Sequence, residues 1–266
     1  MKRSSFIKNV ALLSGGLMTT RHLLAEESPE AQLENNPQDS LRTDIEYYSG
    51  VDSYIKCFTA RPDTDATLPG IILIHGLRGL NKHYVETAKK LAAEGFCIMA
   101  PDALSPLGGT LGEMDENRSM LMKLKPQQND ENFRRGINYL KEQPNVSSKI
   151  AVVGFGWGGM VANRLAIRSS NLAAVVSYYG KAPQKDVGQI NVPLLLHYAA
   201  QDEQVNKDVP AFESALKSGN KDYQLEKYPR TKNGFNNNSL KAKYNKVAAD
   251  KAWATTLAFL RKRLNS

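Results

Sequence analysis

Short apolar segments alternate with longer amphipathic segments along most of this chain, and that alternation limits the folds it can adopt. Residues 70–75 form a continuous apolar run that ends before Gly76, which is typical of a strand buried on both faces of a sheet. Two half-exposed strands are predicted before this run, and repeated strand–helix units are predicted after it. This order predicts one α/β domain over residues 43–266, with a mostly parallel twisted sheet and helices on both of its faces.

The predicted elements follow from hydrophobic period and from glycine positions. The predicted strands span residues 45–49, 53–60, 70–75, 96–100, 149–154, 172–178, 192–198 and 223–228. The predicted helices span residues 84–94, 132–142, 158–168, 209–217 and 244–264. A long loop that contains Gly108, Gly109 and Gly112 is predicted between the strand at 96–100 and the helix at 132–142.

The first 25 residues are predicted to be a signal peptide. They contain four basic residues and no acidic residue, and they include a modest apolar stretch over residues 10–18. Ala25 would be the last residue before cleavage. This leader predicts export to the periplasm, and the alternative is an uncleaved flexible tail on a cytoplasmic protein. Residues 26–42 are rich in Glu, Asn, Gln, Ser and Pro, which predicts a flexible polar linker.

The excess of basic residues does not indicate nucleic-acid binding. The formal net charge is +8, but four basic residues lie in the leader, so the rest of the chain carries 31 basic against 27 acidic side chains. The basic clusters near the C-terminus lie in or beside the predicted helix at 244–264 and are typical of a solvated helix face. No apolar run approaches the roughly 18–20 residues of a membrane-spanning helix, so no membrane span is predicted.

The two cysteines, Cys57 and Cys97, are too few for a four-ligand zinc site, and no metal is predicted. Each lies in a predicted strand and is interpreted as a small hydrophobic residue. A disulfide between them would require neighbouring strands and an exported protein, and that alternative stays open here.

Residues 149–160 combine a strand, a glycine-rich turn and the start of a helix, and they allow two functional interpretations. Gly154, Gly156 and Gly159 match the G-x-G-x-x-G fingerprint of dinucleotide-binding proteins. That site needs an acidic residue about 20 residues further on to hold the ribose, and no acidic residue lies between the turn and Asp186. Dinucleotide binding is therefore the weakest alternative, and no cofactor is predicted. The other interpretation is the nucleophile elbow, G-x-Nuc-x-G, in which residue 156 would be the nucleophile.

Several longer motifs accompany this turn. They are LIHGLRGLN at 73–81, AAEGF at 92–96, APDALSPLGG at 100–109, GFGWGG at 154–159, YG at 179–180, PLLLH at 193–197 with Asp202, and YP at 228–229 followed by GF at 234–235. In this order and at these spacings, the chain resembles the dienelactone hydrolase family of α/β-hydrolases, and its exported bacterial members in particular, over residues 43–266. The resemblance implies cleavage of ester or lactone bonds by a Cys or Ser nucleophile with an Asp and a His, assisted by a Glu after the third strand.

Matched residue by residue, the resemblance fails at most of the catalytic positions. Gly156 stands at the nucleophile position, Asn233 at the position of the His, and Gly76 at the position of the auxiliary Glu. Asp202, at the acid position, matches the family. Glycine has no attacking atom and an amide accepts no proton near neutral pH, so covalent catalysis is not expected.

The backbone part of the site is expected to remain. In this fold two backbone N–H groups form the oxyanion hole, and the resemblance implies that they belong to Leu77 and Trp157. The sequence therefore predicts a pseudoenzyme that keeps a cleft for a small carbonyl or carboxylate ligand, or for a protein partner. The alternative is an active carboxylic-ester or lactone hydrolase that uses displaced residues and a water molecule.

A few other side chains are considered for the site. His75 ends the third strand beside the expected cleft and is a candidate replacement base. His197 lies within an apolar strand and is interpreted as a core histidine, whereas His83 is expected to be solvated. Tyr178 and Tyr179 end a strand and are both expected to line the cleft.

Overall fold

The computed structural model describes residues 40–112, 114–169 and 171–264. The predicted signal peptide and residues 26–39 of the predicted linker lie outside these ranges. The first strand begins at Leu41, so the last two residues of the predicted linker belong to the sheet. Leu41 and Arg42 pair with Pro62 and Arg61 of the second strand, which supplies hydrogen bonds that a polar sequence does not indicate by itself.

One sheet of eight strands forms the centre of the described domain. The strands are β1 Leu41–Ser49, β2 Tyr54–Pro62, β3 Leu68–Ile74, β4 Cys97–Pro101, β5 Val146–Phe155, β6 Ala174–Tyr178, β7 Leu194–Ala199 and β8 Tyr223–Tyr228. Their order across the sheet is β1-β2-β4-β3-β5-β6-β7-β8. β1 and β2 pair antiparallel, as do β2 and β4, and all other neighbours pair parallel. The prediction of a mostly parallel sheet is confirmed.

The described ranges contain seven α-helices, six between strands and one after β8. They are α1 Lys82–Ala93, α2 Met114–Lys123, α3 Pro126–Lys141, α4 Trp157–Arg168, α5 Glu203–Asn206, α6 Val209–Ser218 and α7 Lys246–Leu264. Short 3₁₀ turns occur at Ser105–Leu107 and Val187–Gln189.

Three features of the helices differ from the prediction, and one of them is the short helix α5, which was not predicted. α2 lies in the segment predicted as a loop, because its sequence is mostly polar and lacks a clear apolar period. α3 begins at Pro126, six residues before the predicted start. Its early turns bury Asn129 and Asp130 in place of apolar side chains, which conceals the helix from a hydrophobic pattern, although proline is favoured at the first helical position.

The helices cover both faces of the sheet, as predicted. Along β3, Ile72 and Ile74 belong to one cluster of buried side chains, whereas Ile71 and Leu73 belong to the other, as alternation along a strand requires. The first cluster includes buried residues of α3, α4 and α6, and the second includes buried residues of α1 and α7. None of the helices in the described ranges is long and apolar enough to cross a membrane.

The cysteines lie in neighbouring strands but are far out of register. Cys57 of β2 is opposite Pro101 of β4, four residues beyond Cys97. At about 3.4 Å per residue this offset places the two Cα atoms roughly 13 Å apart, well beyond the reach of a disulfide. Both thiols are free and buried, so the disulfide alternative is wrong and the interpretation as small core residues is confirmed.

Candidate active site

The turn between β5 and α4 has the geometry of a nucleophile elbow. Gly156 occupies it with φ 57° and ψ −109°, a conformation that side chains with a Cβ adopt only under strain. Its N–H donates to the Tyr178 carbonyl at 2.8 Å. A Cβ at Gly154 would lie 2.1 Å from the Gly158 carbonyl oxygen, so the chain approaches itself too closely there for any side chain.

The structure brings the three predicted triad positions together. A Cβ at Gly156 would lie 4.0 Å from Oδ1 of Asn233 and 3.6 Å from the ring of Tyr179. Nδ2 of Asn233 donates to Oδ2 of Asp202 at 2.7 Å, and the other oxygen of Asp202 accepts the Val205 N–H at 3.2 Å. The three residues thus lie in the order of a catalytic triad. Gly156, however, has no side chain at the nucleophile position, and Asn233 places an amide at the position of the base.

The two expected oxyanion N–H groups also lie at this turn. Leu77 follows β3, Trp157 is the first residue of α4, and both line the same cavity. Within the described part of the chain, neither N–H donates a hydrogen bond. The start of α4 adds the partial positive charge of a helix N-terminus. A carbonyl or carboxylate oxygen would therefore find two free donors here.

Tyr84 occupies the place where the family's glutamate would project. A Cβ at Gly76 would lie 2.5 Å from the Tyr84 hydroxyl, so the Tyr84 side chain would have to shift to admit any side chain at residue 76. Burial raises the pKa of Tyr84 to about 12, so the hydroxyl stays protonated at neutral pH. Sequence reasoning missed Tyr84, because it lies in α1 outside every recognised motif.

His75, the candidate replacement base, has both ring nitrogens occupied. The Ala103 N–H donates to Nε2 of His75 at 3.1 Å, which places the proton on Nδ1, 2.9 Å from the Gly76 carbonyl. Both ring nitrogens are engaged, and burial lowers the pKa of His75 although the Asp102 carboxylate opposes the shift. His75 is therefore wrong as a replacement base.

His197 and His83 are not among the residues that line the cavity described below. His197 is fully buried, with its ring nitrogens beside the hydroxyls of Tyr228 and Thr256 at 2.9 and 3.0 Å, so its interpretation as a core histidine is confirmed. Burial lowers its pKa to about 3. His83 is half-buried and not solvated as expected, and burial lowers its pKa to about 4.

A cavity of about 660 Å³ opens over the elbow. Tyr179 lines it, as predicted, but Tyr178 does not, because its hydroxyl lies in the core beside the Ala252 carbonyl and the Thr256 hydroxyl. Six basic side chains line the cavity, whereas Asp202 is the one acidic residue among its described lining residues. The basic residues are Arg78, Arg118, Arg164, Lys181, Lys207 and Lys243. This concentration of charge was not predicted from the sequence, because the six residues come from separate segments.

The parallel sheet, the tight turn from β5 into α4 and the aligned positions 156, 233 and 202 define an α/β-hydrolase. Within that class, the chain belongs to the dienelactone hydrolase family, whose model matches residues 55–264.

Individual relatives agree with the family assignment. The chain is 30% identical over 213 residues to "Protein usf" of Aquifex pyrophilus, which covers 74% of this chain and 89% of that protein. It is 26% identical over 255 residues to "Putative carboxymethylenebutenolidase" of Saccharolobus solfataricus, with 81% and 97% of the two chains covered. A solved structure of a dienelactone hydrolase-like promiscuous phosphotriesterase from metagenomic libraries superposes with a TM-score of 0.77 at 20% identity, covering 84% of this chain and 99% of the other.

Proposed function

We propose that this protein binds a small carbonyl or carboxylate ligand in the inherited cleft and does not hydrolyse esters through a covalent intermediate. The observation that carries the proposal is the direction of the hydrogen bond at Asn233, whose amide N–H donates to Asp202. In a working triad the middle residue receives the proton of the nucleophile. Here the middle residue offers a carbonyl oxygen toward position 156, and that position has no atom to attack with.

The expected loss of rate is large. Removal of the nucleophile or of the base alone costs a triad enzyme on the order of a million-fold in turnover. Both are missing here, and the nearby His75 has no free ring nitrogen to take over. What is left is the part of the site that binds oxygen without reacting: the N–H groups of Leu77 and Trp157.

The cavity supports binding of a small molecule. Its volume of about 660 Å³ is within the range of roughly 300–1,000 Å³ that is common for small-molecule pockets. The absent side chain at Gly156 leaves room for a ligand oxygen beside the two N–H groups. Phe155, Met160 and Tyr179 supply apolar wall.

The test is a panel of esters and lactones against the purified protein, with a covalent serine/cysteine probe alongside. We expect no turnover above the buffer rate and no labelling, together with saturable binding of some panel members by calorimetry. An acyl-enzyme found by mass spectrometry, or turnover abolished by Asp202→Ala, would overturn the proposal.

An active hydrolase is the second candidate, and the names of the relatives favour it, since the metagenomic relative is named as a phosphotriesterase. Such an enzyme would activate a water molecule with Asp202, the one acidic side chain among the described lining residues. Turnover without labelling, lost in Asp202→Ala and kept in Asp102→Asn, would favour this candidate. A protein partner in the cleft is the remaining alternative from the sequence, and no contact in the described residues favours it.

A further inference from the structure

A buried amide in the wall of this cavity has no hydrogen-bond partner in the described part of the chain. Asn129 of α3 is 4% exposed, lines the cavity, and its Nδ2 atom has no hydrogen-bond partner among the described residues. A buried donor that loses water without gaining a protein acceptor is costly, so such groups are rare unless something else pairs with them. The Nδ2 group of Asn129 is therefore a candidate donor for a ligand bound against this wall of the cavity.

The surroundings of Asn129 are positively charged. The next residue, Asp130, accepts hydrogen bonds from Nε and the terminal nitrogen of Arg164 at 3.0 and 2.6 Å, and it lies 3.1 Å from Arg168. Two guanidinium groups thus share one carboxylate, which leaves a net positive charge. Arg164 also lines the cavity, so this charge lies beside the unpaired amide.

The rest of the cavity adds to the positive potential. Five of its basic side chains have no ion pair in the described part of the chain, and Asp202 is the single acid facing them there. The five are Arg78, Arg118, Lys181, Lys207 and Lys243. A cleft lined by one sign of charge concentrates ligands of the opposite sign.

The unpaired amide lies at a distance from the elbow. Trp157, Met160 and Arg164 all line the cavity and are spaced for one face of α4, so the cavity runs along that helix. Trp157 and Arg164 are seven residues apart, which separates their Cα atoms by about 10 Å at 1.5 Å per residue. The Arg164 side chain leans back toward the N-terminus of the helix and shortens that gap.

We infer that Asn129 and Arg164 form an anion subsite at the far end of the cleft from Gly156. The ligand is then an elongated molecule with a carbonyl oxygen at the Leu77 and Trp157 N–H groups, an apolar middle, and a carboxylate or phosphate at Asn129. The carbonyl end rests on the proposed function, whereas the anion subsite rests on the contacts of α3 and α4.

The experiment measures binding of defined probes to the full-length protein by isothermal titration calorimetry. Monomethyl suberate carries an ester and a carboxylate at its two ends, and dimethyl suberate is its neutral equivalent. Monomethyl succinate is a short version, and 6-acetoxyhexyl phosphate replaces the carboxylate by a phosphate. We expect the two long anions to bind at least about tenfold more tightly than the neutral or the short probe. Whichever of the two binds more tightly indicates whether the subsite prefers a carboxylate or a phosphate.

Two substitutions at Asn129 test the subsite itself. Asn129→Asp keeps the shape and adds a negative charge, and Asn129→Leu removes the donor without a charge. We expect about a tenfold or greater loss of affinity for the long anions in the first and about fivefold in the second, with dimethyl suberate unaffected. Asn138→Asp is the matched control, since it makes the same change on the exposed side of α3 outside the cavity lining, and it should change neither affinity.

The outcomes separate this inference from the proposed function. If dimethyl suberate binds and the long anions bind no better, or if both Asn129 variants bind them as the wild type does, the anion subsite is refuted and carbonyl binding stands. If the long anions bind in an Asn129-dependent way but dimethyl suberate does not bind, the subsite stands and the carbonyl end is refuted. If no probe binds, both are refuted. Thermal unfolding establishes that each variant is folded. If Asn129→Asp does not fold, the affinity of Asn129→Leu for the long anions alone tests whether Asn129 belongs to the anion subsite.

Discussion

The backbone at Gly156 allows the elbow geometry to be tested by stability alone. A residue with a Cβ at φ 57° and ψ −109° costs about 1–3 kcal/mol of strain. The nearest atom to a Cβ at this position would be 3.6 Å away, so Gly156→Cys adds strain but no clash. Loss of glycine's freedom in the unfolded chain returns roughly 0.4–1 kcal/mol. We therefore expect Gly156→Cys to lower the free energy of unfolding by about 1–2 kcal/mol.

Two other glycines provide matched controls. Gly188 has no positive φ, and a Cβ there would meet nothing within 4 Å, so Gly188→Cys should carry no strain and should gain the same roughly 0.4–1 kcal/mol from the less flexible unfolded chain. A Cβ at Gly158 would lie 2.3 Å from the Ile74 carbonyl oxygen. Gly158→Cys should therefore cost more than Gly156→Cys, because backbone must move to accommodate it.

The assay is urea and thermal unfolding of the three variants under reducing conditions. For a domain of this size, 1 kcal/mol corresponds to about 2–4 °C in Tm, so Gly156→Cys should melt roughly 2–8 °C below the wild type. The expected order of stability is Gly188→Cys, then Gly156→Cys, then Gly158→Cys. If Gly156→Cys is as stable as Gly188→Cys, residue 156 does not hold the strained conformation and the elbow assignment is wrong.

Four further predictions follow from the site, the core and the leader. Gly156→Cys alone should stay unreactive to a thiol probe at neutral pH, whereas its combination with Asn233→His should gain thiol reactivity and some turnover of activated esters; equal reactivity of the two proteins would count against the triad geometry. Burial lowers the pKa of His197 to about 3, below its unfolded value of about 6.5, so the stability that this neutral ring contributes is complete above pH 6.5 and falls as the pH drops toward 3. The free energy of unfolding of the wild type should therefore fall by about 2–3 kcal/mol more than that of His197→Asn when the pH is lowered from 7 to 4.5. Urea titration at the two pH values measures this difference, and an equal fall in both proteins would refute the prediction. NAD and NADP should not quench the fluorescence of Trp157, because the acidic residue that would hold the ribose is absent. Saturable quenching would favour the dinucleotide interpretation. Export is tested by cell fractionation, where we expect periplasmic protein without its first 25 residues and not full-length protein in the cytoplasm.

The sequence predicted the part of the site that depends on local pattern. Gly156 could be located because a strand, a tight turn and a helix follow one another at fixed spacing. Asn233 and Asp202 could be assigned to the same site because the motifs around them resemble those of the dienelactone hydrolase family. Their hydrogen bond at 2.7 Å agrees with that placement.

The parts that the sequence did not predict depend on how separate elements pack against one another. Tyr84 reaches Gly76 only because α1 packs back against the end of β3, and nothing in either segment alone indicates this. Asn129 looks like an ordinary polar residue until the helix that carries it is placed beside Arg164. The polar sequence of α2 was assigned to a loop for a similar reason, since hydrophobic period is a weak guide where one helix face lines a cavity.

The contact between Tyr84 and Gly76 also limits which substitutions can introduce a carboxylate at residue 76. A Cβ at residue 76 would lie 2.5 Å from the Tyr84 hydroxyl, so Glu at residue 76 requires this side chain to move, whereas Ala at residue 84 without that Glu would leave a cavity in the core. Each single step therefore lowers stability before the pair can restore the carboxylate. A glutamate at residue 76 can therefore be reached only through single variants that are less stable than the present sequence. The packing of Tyr84 against Gly76 thus disfavours the gain of this carboxylate by stepwise mutation.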